Sequence, residues 1–145
     1  MWKDLQGKEY KEISDFQNAY GFIYKITHKE TGKFYIGKKQ LVFKRKKKLG
    51  KKELSLIEIK PGRRPTSKLV ESESDWKTYW GSSKELCEEI KKQGQDKFDR
   101  VIIQLAYTSK LLTYYEAMYQ MKEDVLQIDS YNHNILGKIH RKDFL

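Results

Sequence analysis

The chain has one cysteine, Cys87, and two prolines, Pro61 and Pro65, in 145 residues. A single thiol excludes an internal disulfide and any zinc site built from several cysteines. The three histidines, His28, His133 and His140, are scattered without the spacing of metal ligands. Long apolar runs are also missing. No stretch approaches the roughly 20 apolar residues that span a bilayer, and MWKDLQGKEYKE at the N-terminus lacks the apolar centre of a signal peptide. The expectation is a cytoplasmic, intracellular protein with no membrane partner.

Acidic residues are scarce in one particular place. Between Lys38 and Lys68 there are 13 Lys or Arg against only Glu53 and Glu58, a net +11, so the rest of the chain carries −1 of the overall +10. Lysines kept for solubility would be spread along the chain. A localised positive segment is what a surface that meets a polyanion looks like. Nucleic acid fits better than an anionic membrane, because no amphipathic helix with a bulky apolar face accompanies the lysines. With 13% aromatic residues and 38% hydrophobic ones, the composition still allows one compact domain over residues 1–145.

Residues 20–27, YGFIYKIT, are rich in β-branched and aromatic types and read as a strand. HKETGK has turn composition, and KFYIGK reads as the returning strand of a hairpin. With a two-residue loop centred on Thr31-Gly32, position 24 lies opposite 39 and position 28 opposite 35, so Tyr24 and Tyr35 share a face. A bulge at Gly32 shifts the register by one and separates them; composition does not choose. Residues 1–19 read as a polar lead-in from which Ile13 and Phe16 tuck onto the body. Leu41, Val42 and Phe43 start a short helix carrying Lys44 and Arg45. Residues 46–74 read as an irregular basic excursion, broken at Gly50 and KPGRRPT, with a short strand at LSLIEI. Ser82 and Glu85 form a capping box for a helix with Leu86 and Ile90 on one face and Gly94 as its stop. FDRVIIQLAYT (98–108) reads as a buried strand. Ser109 caps the longest helix, where Leu111, Tyr115, Met118, Met121 and Val125 recur at helical spacing. The order gives a mixed α/β fold: a small, largely antiparallel three-stranded sheet flanked by helices.

FIY at 22–24 and YIG at 35–37, with the tyrosines eleven positions apart, resemble the paired triplets of the GIY-YIG nuclease family. Arg45, Glu116 within a long helix and the pair Tyr131-Asn132 follow in the family's order. YWGSSKEL…KKQGQDKF resembles the corresponding part of phage-encoded homing endonucleases of that family. The resemblance spans about residues 20–136; Phe22 stands at the first position of the first triplet, directly after Gly21.

The resemblance implies a DNA endonuclease that hydrolyses a phosphodiester with one divalent metal ion, Mg²⁺ or Mn²⁺, and a tyrosine-activated water. In that reading Tyr24 is the general base and Tyr35 positions water or phosphate beside it. A phenol that activates water needs a pKa below its usual ~10, and the cations Lys38, Lys39 and Arg45 would favour the phenolate. Arg45 offers a planar fork for two phosphate oxygens. Glu116 offers a hard oxygen ligand for the metal, whose charge would neutralise the leaving oxygen. Asn132 would orient substrate or nearby backbone. Many relatives carry a further basic or imidazole group one helical turn after the arginine. Here Leu49 and Gly50 occupy that region, which leaves Lys39 as the candidate partner for the tyrosine. Nucleic-acid contacts are expected from Lys38, Lys39, Lys44, Lys46, Lys47, Lys48, Arg63 and Arg64, joined by Trp80 and Ser82. The expected partner is double-stranded DNA, bound by a monomer or a homodimer.

Each of these residues also has a plain structural reading. The tyrosines could fill a half-buried hairpin face, Arg45 could be one more phosphate-steering charge, and Glu116 a solvated helix carboxylate. Asn132 could be a turn residue with Asn134 as its rival, and Trp76, Tyr79 and Trp80 could simply pack. His28 and His133 are given no role. Two rival functions stay open: a non-catalytic basic DNA- or RNA-binding module, and a structure-specific or RNA-directed nuclease on the same fold.

Overall fold

The computed structural model describes residues 1–48, 50–51 and 67–145. They divide into two compact units, residues 1–41 with 75–145 and residues 42–74. In the first unit, β3 (Gly21–His28) runs antiparallel to β4 (Phe34–Gln40) on one side and to β7 (Phe98–Ala106) on the other. These are the three strands expected from the sequence. The lead-in adds two more. β1 (Trp2–Asp4) lies parallel to β7 and β2 (Glu9–Tyr10) antiparallel to β1, giving the order β2-β1-β7-β3-β4 in a mixed, mostly antiparallel sheet. Aromatic burial draws these residues in. Trp2 and Phe16 are almost fully buried, the Trp2 indole N–H donates to the Trp76 carbonyl at 2.7 Å, and Phe16 meets Trp76 edge-on at 4.9 Å. Full burial of one such side chain contributes roughly 1.5–3 kcal/mol.

The turn between β3 and β4 is longer than a two-residue loop. Thr27 pairs with Phe34, and the His28 N–H donates to the Lys33 carbonyl at 2.8 Å. Gly32, at φ +76°, donates its N–H back to the His28 carbonyl at 2.9 Å, and the His28 imidazole accepts from Glu30. Tyr24 therefore faces Gly37, and Ile26 faces Tyr35. The register differs from the two-residue-loop case by two positions. An even shift keeps every side chain on its face, so Tyr24 and Tyr35 do lie on the same side of the sheet.

That side carries Phe22, Tyr24, Ile26 and Tyr35, packed with Trp2, Phe16 and Trp76. The opposite side carries Ile23, Phe34 and Ile36, which pack with Ala106, Leu112, Val125, Leu126 and Ile135. Helix α1 (Lys84–Gln93) is capped by Ser83, whose Oγ accepts from the Leu86 N–H at 3.3 Å, and ends at Gly94. Helix α2 (Ser109–Lys122) is capped by Thr108, accepting from the Leu111 N–H at 3.1 Å. Both caps fall one residue before or after the expected hydroxyl, since two adjacent hydroxyls satisfy the same pattern. The expected apolar stripe of α2 is also rotated: Leu111 and Met121 are exposed, while Leu112 and Gln120 are buried. Leu112, Glu116 and Gln120, four residues apart, form the inward line, so two polar residues take positions that periodicity assigns to apolar ones. A small hairpin, β8 (Asn134–Ile135) with β9 (Ile139–His140), follows.

In the second unit, β5 (Val42–Lys48) pairs antiparallel with β6 (Ser67–Glu73). This replaces the expected helix at Leu41–Arg45 and the expected irregular chain over these residues. A strand sends neighbouring lysines to opposite faces and sets a carboxylate across from one of them: Lys44 pairs with Glu71, at 3.6 Å between side chains, while Lys46 pairs with Leu69 and Lys47 with Lys68. On a helix the same lysines would crowd one another within a turn. The strand expected at LSLIEI, and Arg63 and Arg64, lie outside the described residues. Among the described residues no helix is long and apolar enough to cross a membrane.

Candidate active site

β4 is the edge strand of the sheet, so its outward N–H and C=O groups need other partners. Asn132 supplies them at Ile36. Its Oδ1 accepts from the Ile36 N–H at 3.0 Å and its Nδ2 donates to the Ile36 carbonyl at 2.9 Å, as a neighbouring strand would. The same carbonyl accepts from Gln120 Nε2 at 2.9 Å. Asn132 is buried, its N–H donates to Ser130 Oγ, and its carbonyl accepts from Arg141 at 2.8 Å. Its rival Asn134 is exposed and accepts from Gly137 N–H in a turn. Asn132→Ala is expected to cost about 2 kcal/mol, because the Ile36 N–H is left unpaired. Thermal unfolding should show this as a fall of roughly 5–10 °C.

Two residues along, the Lys38 backbone N–H lies close enough to the Glu116 carboxylate to act on its pKa. Burial raises the pKa of Glu116, against the opposing effects of the Lys38 charge and backbone N–H. Lys38 itself donates to Thr113 Oγ1 at 3.2 Å. Glu116, Lys38, Gln120 and Asn132 reach a cavity of about 440 Å³ that Tyr35 and Ser82 also line. Residues of both sheet faces thus converge at the β4 edge.

Tyr24 lies behind Tyr35, ring centroids 6.1 Å apart, with Tyr79 edge-on to it at 5.8 Å. The two rings meet over Gly37. A Cβ there would lie 2.7 Å from Tyr24 Cζ and 2.8 Å from Tyr35 Cε1, and closer still to the Tyr24 hydroxyl. β7 is bulged opposite the step from Ile23 to Tyr24, a common device for re-aiming side chains beside a site. Tyr24 is fully buried and its Oη has no protein hydrogen-bond partner. Burial pushes its phenol well above the usual range, and the Tyr35 and Tyr79 hydroxyls add to the rise. Burial also raises Tyr35, opposed by a 2.9 Å hydrogen bond with Ser82 Oγ. The expected lowering by cations is therefore not seen in the protein alone. Lys39, the candidate partner, is 2.5 Å from Asp75 and covers the Tyr79 ring at 4.0 Å.

Other expected contact residues are placed as follows. Arg45, Lys44, Lys46 and Lys48 are exposed along β5 and Lys47 lies in the same strand, all in the second unit. Trp80 is half-buried against Arg100, whose guanidinium is sandwiched between Trp80 at 4.4 Å and Trp2 at 4.3 Å. Arg100 was not anticipated. It donates to the carbonyls of Tyr79 at 2.7 Å and Lys77 at 3.0 Å, holding the segment that backs Tyr24, and burial lowers its pKa to about 10. The signal available for it was a single cation within the otherwise apolar stretch RVII.

Glu116 suits a divalent cation. Its carboxylate offers a hard oxygen donor at the cavity; among the described residues no group of three or more His, Cys, Asp or Glu converges. Gln120, which lines the same cavity, has a buried Oε1 without a hydrogen-bond partner. The family model described as putative endonuclease segE, GIY-YIG domain, matches residues 2–135. The chain belongs to the GIY-YIG endonucleases. No curated protein and no solved structure matches it. As a GIY-YIG endonuclease it is a phosphodiester hydrolase acting on nucleic acid, in a family whose members use divalent metal ions. The match takes in both triplets, the β5 basic strand and Glu116.

Proposed function

We propose that this GIY-YIG endonuclease cuts double-stranded DNA, with Tyr24 taking the proton from the attacking water. The carrying observation is the unpartnered hydroxyl of Tyr24, held beside Tyr35 over Gly37, with Tyr35 and Glu116 lining one cavity. Tyr35 positions the phosphate or water, its hydroxyl held by Ser82. Asn132 fixes the strand that presents Tyr35. Glu116 holds Mg²⁺ or Mn²⁺, which when bound supplies positive charge to the phosphate undergoing substitution. Arg45 stabilises the charge that grows on the phosphoryl oxygens. The 42–74 unit is a basic arm of one nuclease domain; Lys44, Lys46, Lys47, Lys48, Arg63 and Arg64 grip the duplex backbone, with Lys38, Lys39 and Trp80 adding contacts. Such contacts give salt-sensitive affinity with little base information. A homing-type role in a phage, exercised in the host cytoplasm, is the biological setting this reading favours.

Supercoiled plasmid at low salt is the first test. Wild type with Mg²⁺ or Mn²⁺ should nick or linearise it, and EDTA should stop the reaction. Binding without cutting would favour the non-catalytic module, and preference for branched DNA or RNA the other nuclease reading. The Tyr24 assignment has its own signature. Tyr24→Phe should keep its fold and its affinity for the duplex yet be inactive. A Tyr24→Phe variant that still cuts would remove Tyr24 as the base.

A further inference from the structure

Hydrolysis leaves an oxygen that must be protonated as it departs, and neither tyrosine nor Glu116 has been assigned that task. We propose that His133, oriented by Glu85, is the general acid that protonates the leaving sugar oxygen; this rests on the nuclease reading above. His133, whose side chain is largely exposed, lines the same cavity as Tyr35, Lys38 and Glu116 and also the neighbouring one along α1. Its Nε2 lies 3.2 Å from Glu85 Oε2. The other oxygen of Glu85 is gripped by Lys33 Nζ at 2.6 Å, and Lys33 also reaches Asp129 at 3.7 Å. The His133 carbonyl accepts from the Arg141 N–H at 3.0 Å, which fixes the backbone beneath the ring.

A carboxylate bonded to one ring nitrogen fixes the orientation of the ring, leaving the other nitrogen for the substrate. The charged groups around the ring are Glu85 with Lys33 and Asp129 behind it, Lys84 and Glu88 along the neighbouring cavity, and Lys38 and Glu116 across the first. Water attacks phosphorus, the bond from phosphorus to the sugar oxygen breaks, and its electron pair stays on that oxygen. The Nδ1 proton of His133 moves to it, and Tyr24 holds the proton taken from water. Exchange with solvent then restores both groups.

The test separates leaving-group chemistry from folding and binding. The cut position is mapped with wild type and Mn²⁺, and a duplex is made with sulfur replacing the leaving oxygen there. A thiolate departs without a proton. His133→Ala should cut the natural duplex about 100-fold more slowly, at unchanged KM, yet cut the sulfur duplex within about threefold of wild type. Glu85→Gln should show the same pattern with a smaller loss, which marks it as a positioning residue. Equal slowing on both duplexes, or no slowing on either, overturns the proposal while leaving the nuclease reading intact. A wild type that cuts neither duplex overturns both.

Discussion

Gly37→Ala should reduce cleavage by at least about 100-fold and weaken the fold at the same time. The added methyl lands within 2.8 Å of ring atoms of both Tyr24 and Tyr35. Neither ring has free space to yield: Tyr24 is wedged among Trp2, Phe22 and Tyr79, and Tyr35 is tied to Ser82. Overpacking of this kind costs about 1–3 kcal/mol. A displacement of about 1 Å at reacting groups alone can cost about 100-fold in rate. A melting curve and a plasmid assay on one preparation read both effects. An active variant would show that the matched tyrosines are packing.

Glu116→Gln should separate activity from stability in the opposite sense. Loss of the single hard anion at the cavity should slow cleavage about 1000-fold or more, since a bound ion supplies several kcal/mol of charge stabilisation. The fold should not suffer. Glu116 has a pKa raised by burial, so the folded protein binds its proton more tightly than the unfolded chain does. The stability this provides is fully present below the ordinary carboxylate pKa and is lost as pH rises through the raised value. At neutral pH the ionised side chain is therefore a burden, and a neutral amide of the same shape should leave the melting temperature equal or higher. The gap between variant and wild type should close as pH falls towards 4. A large drop in stability would instead make Glu116 a structural residue.

Much of the site was legible because its chemistry and its folding use the same residues. FIYKIT and KFYIG are strand sequences, but composition left open whether both tyrosines share a face; the observed register, with Tyr24 opposite Gly37, puts them together. Glu116 was visible in the middle of a helix, although the inward line of α2 was not, since Glu116 and Gln120 occupy it for polar reasons. The lysine run from 44 to 48 has no apolar periodicity, so only its pairing with Ser67–Glu73 reveals a strand. Trp2 joins the sheet through contacts with Trp76 and Phe22, far away in sequence, and no local signal records them. His133 gained meaning only when the fold set Glu85, 48 residues earlier, against its ring.

The edge of β4 has a consequence for self-association. Proteins with an open sheet edge can dimerise or aggregate by adding a strand from another copy. Here Ser130 bridges Phe34, Tyr131 donates its N–H to the Phe34 carbonyl, and Asn132 occupies Ile36, so the chain plugs its own edge. A second copy could dock on β4 only by evicting Asn132, so the side chain that closes this strand also bars the sheet from growing through it.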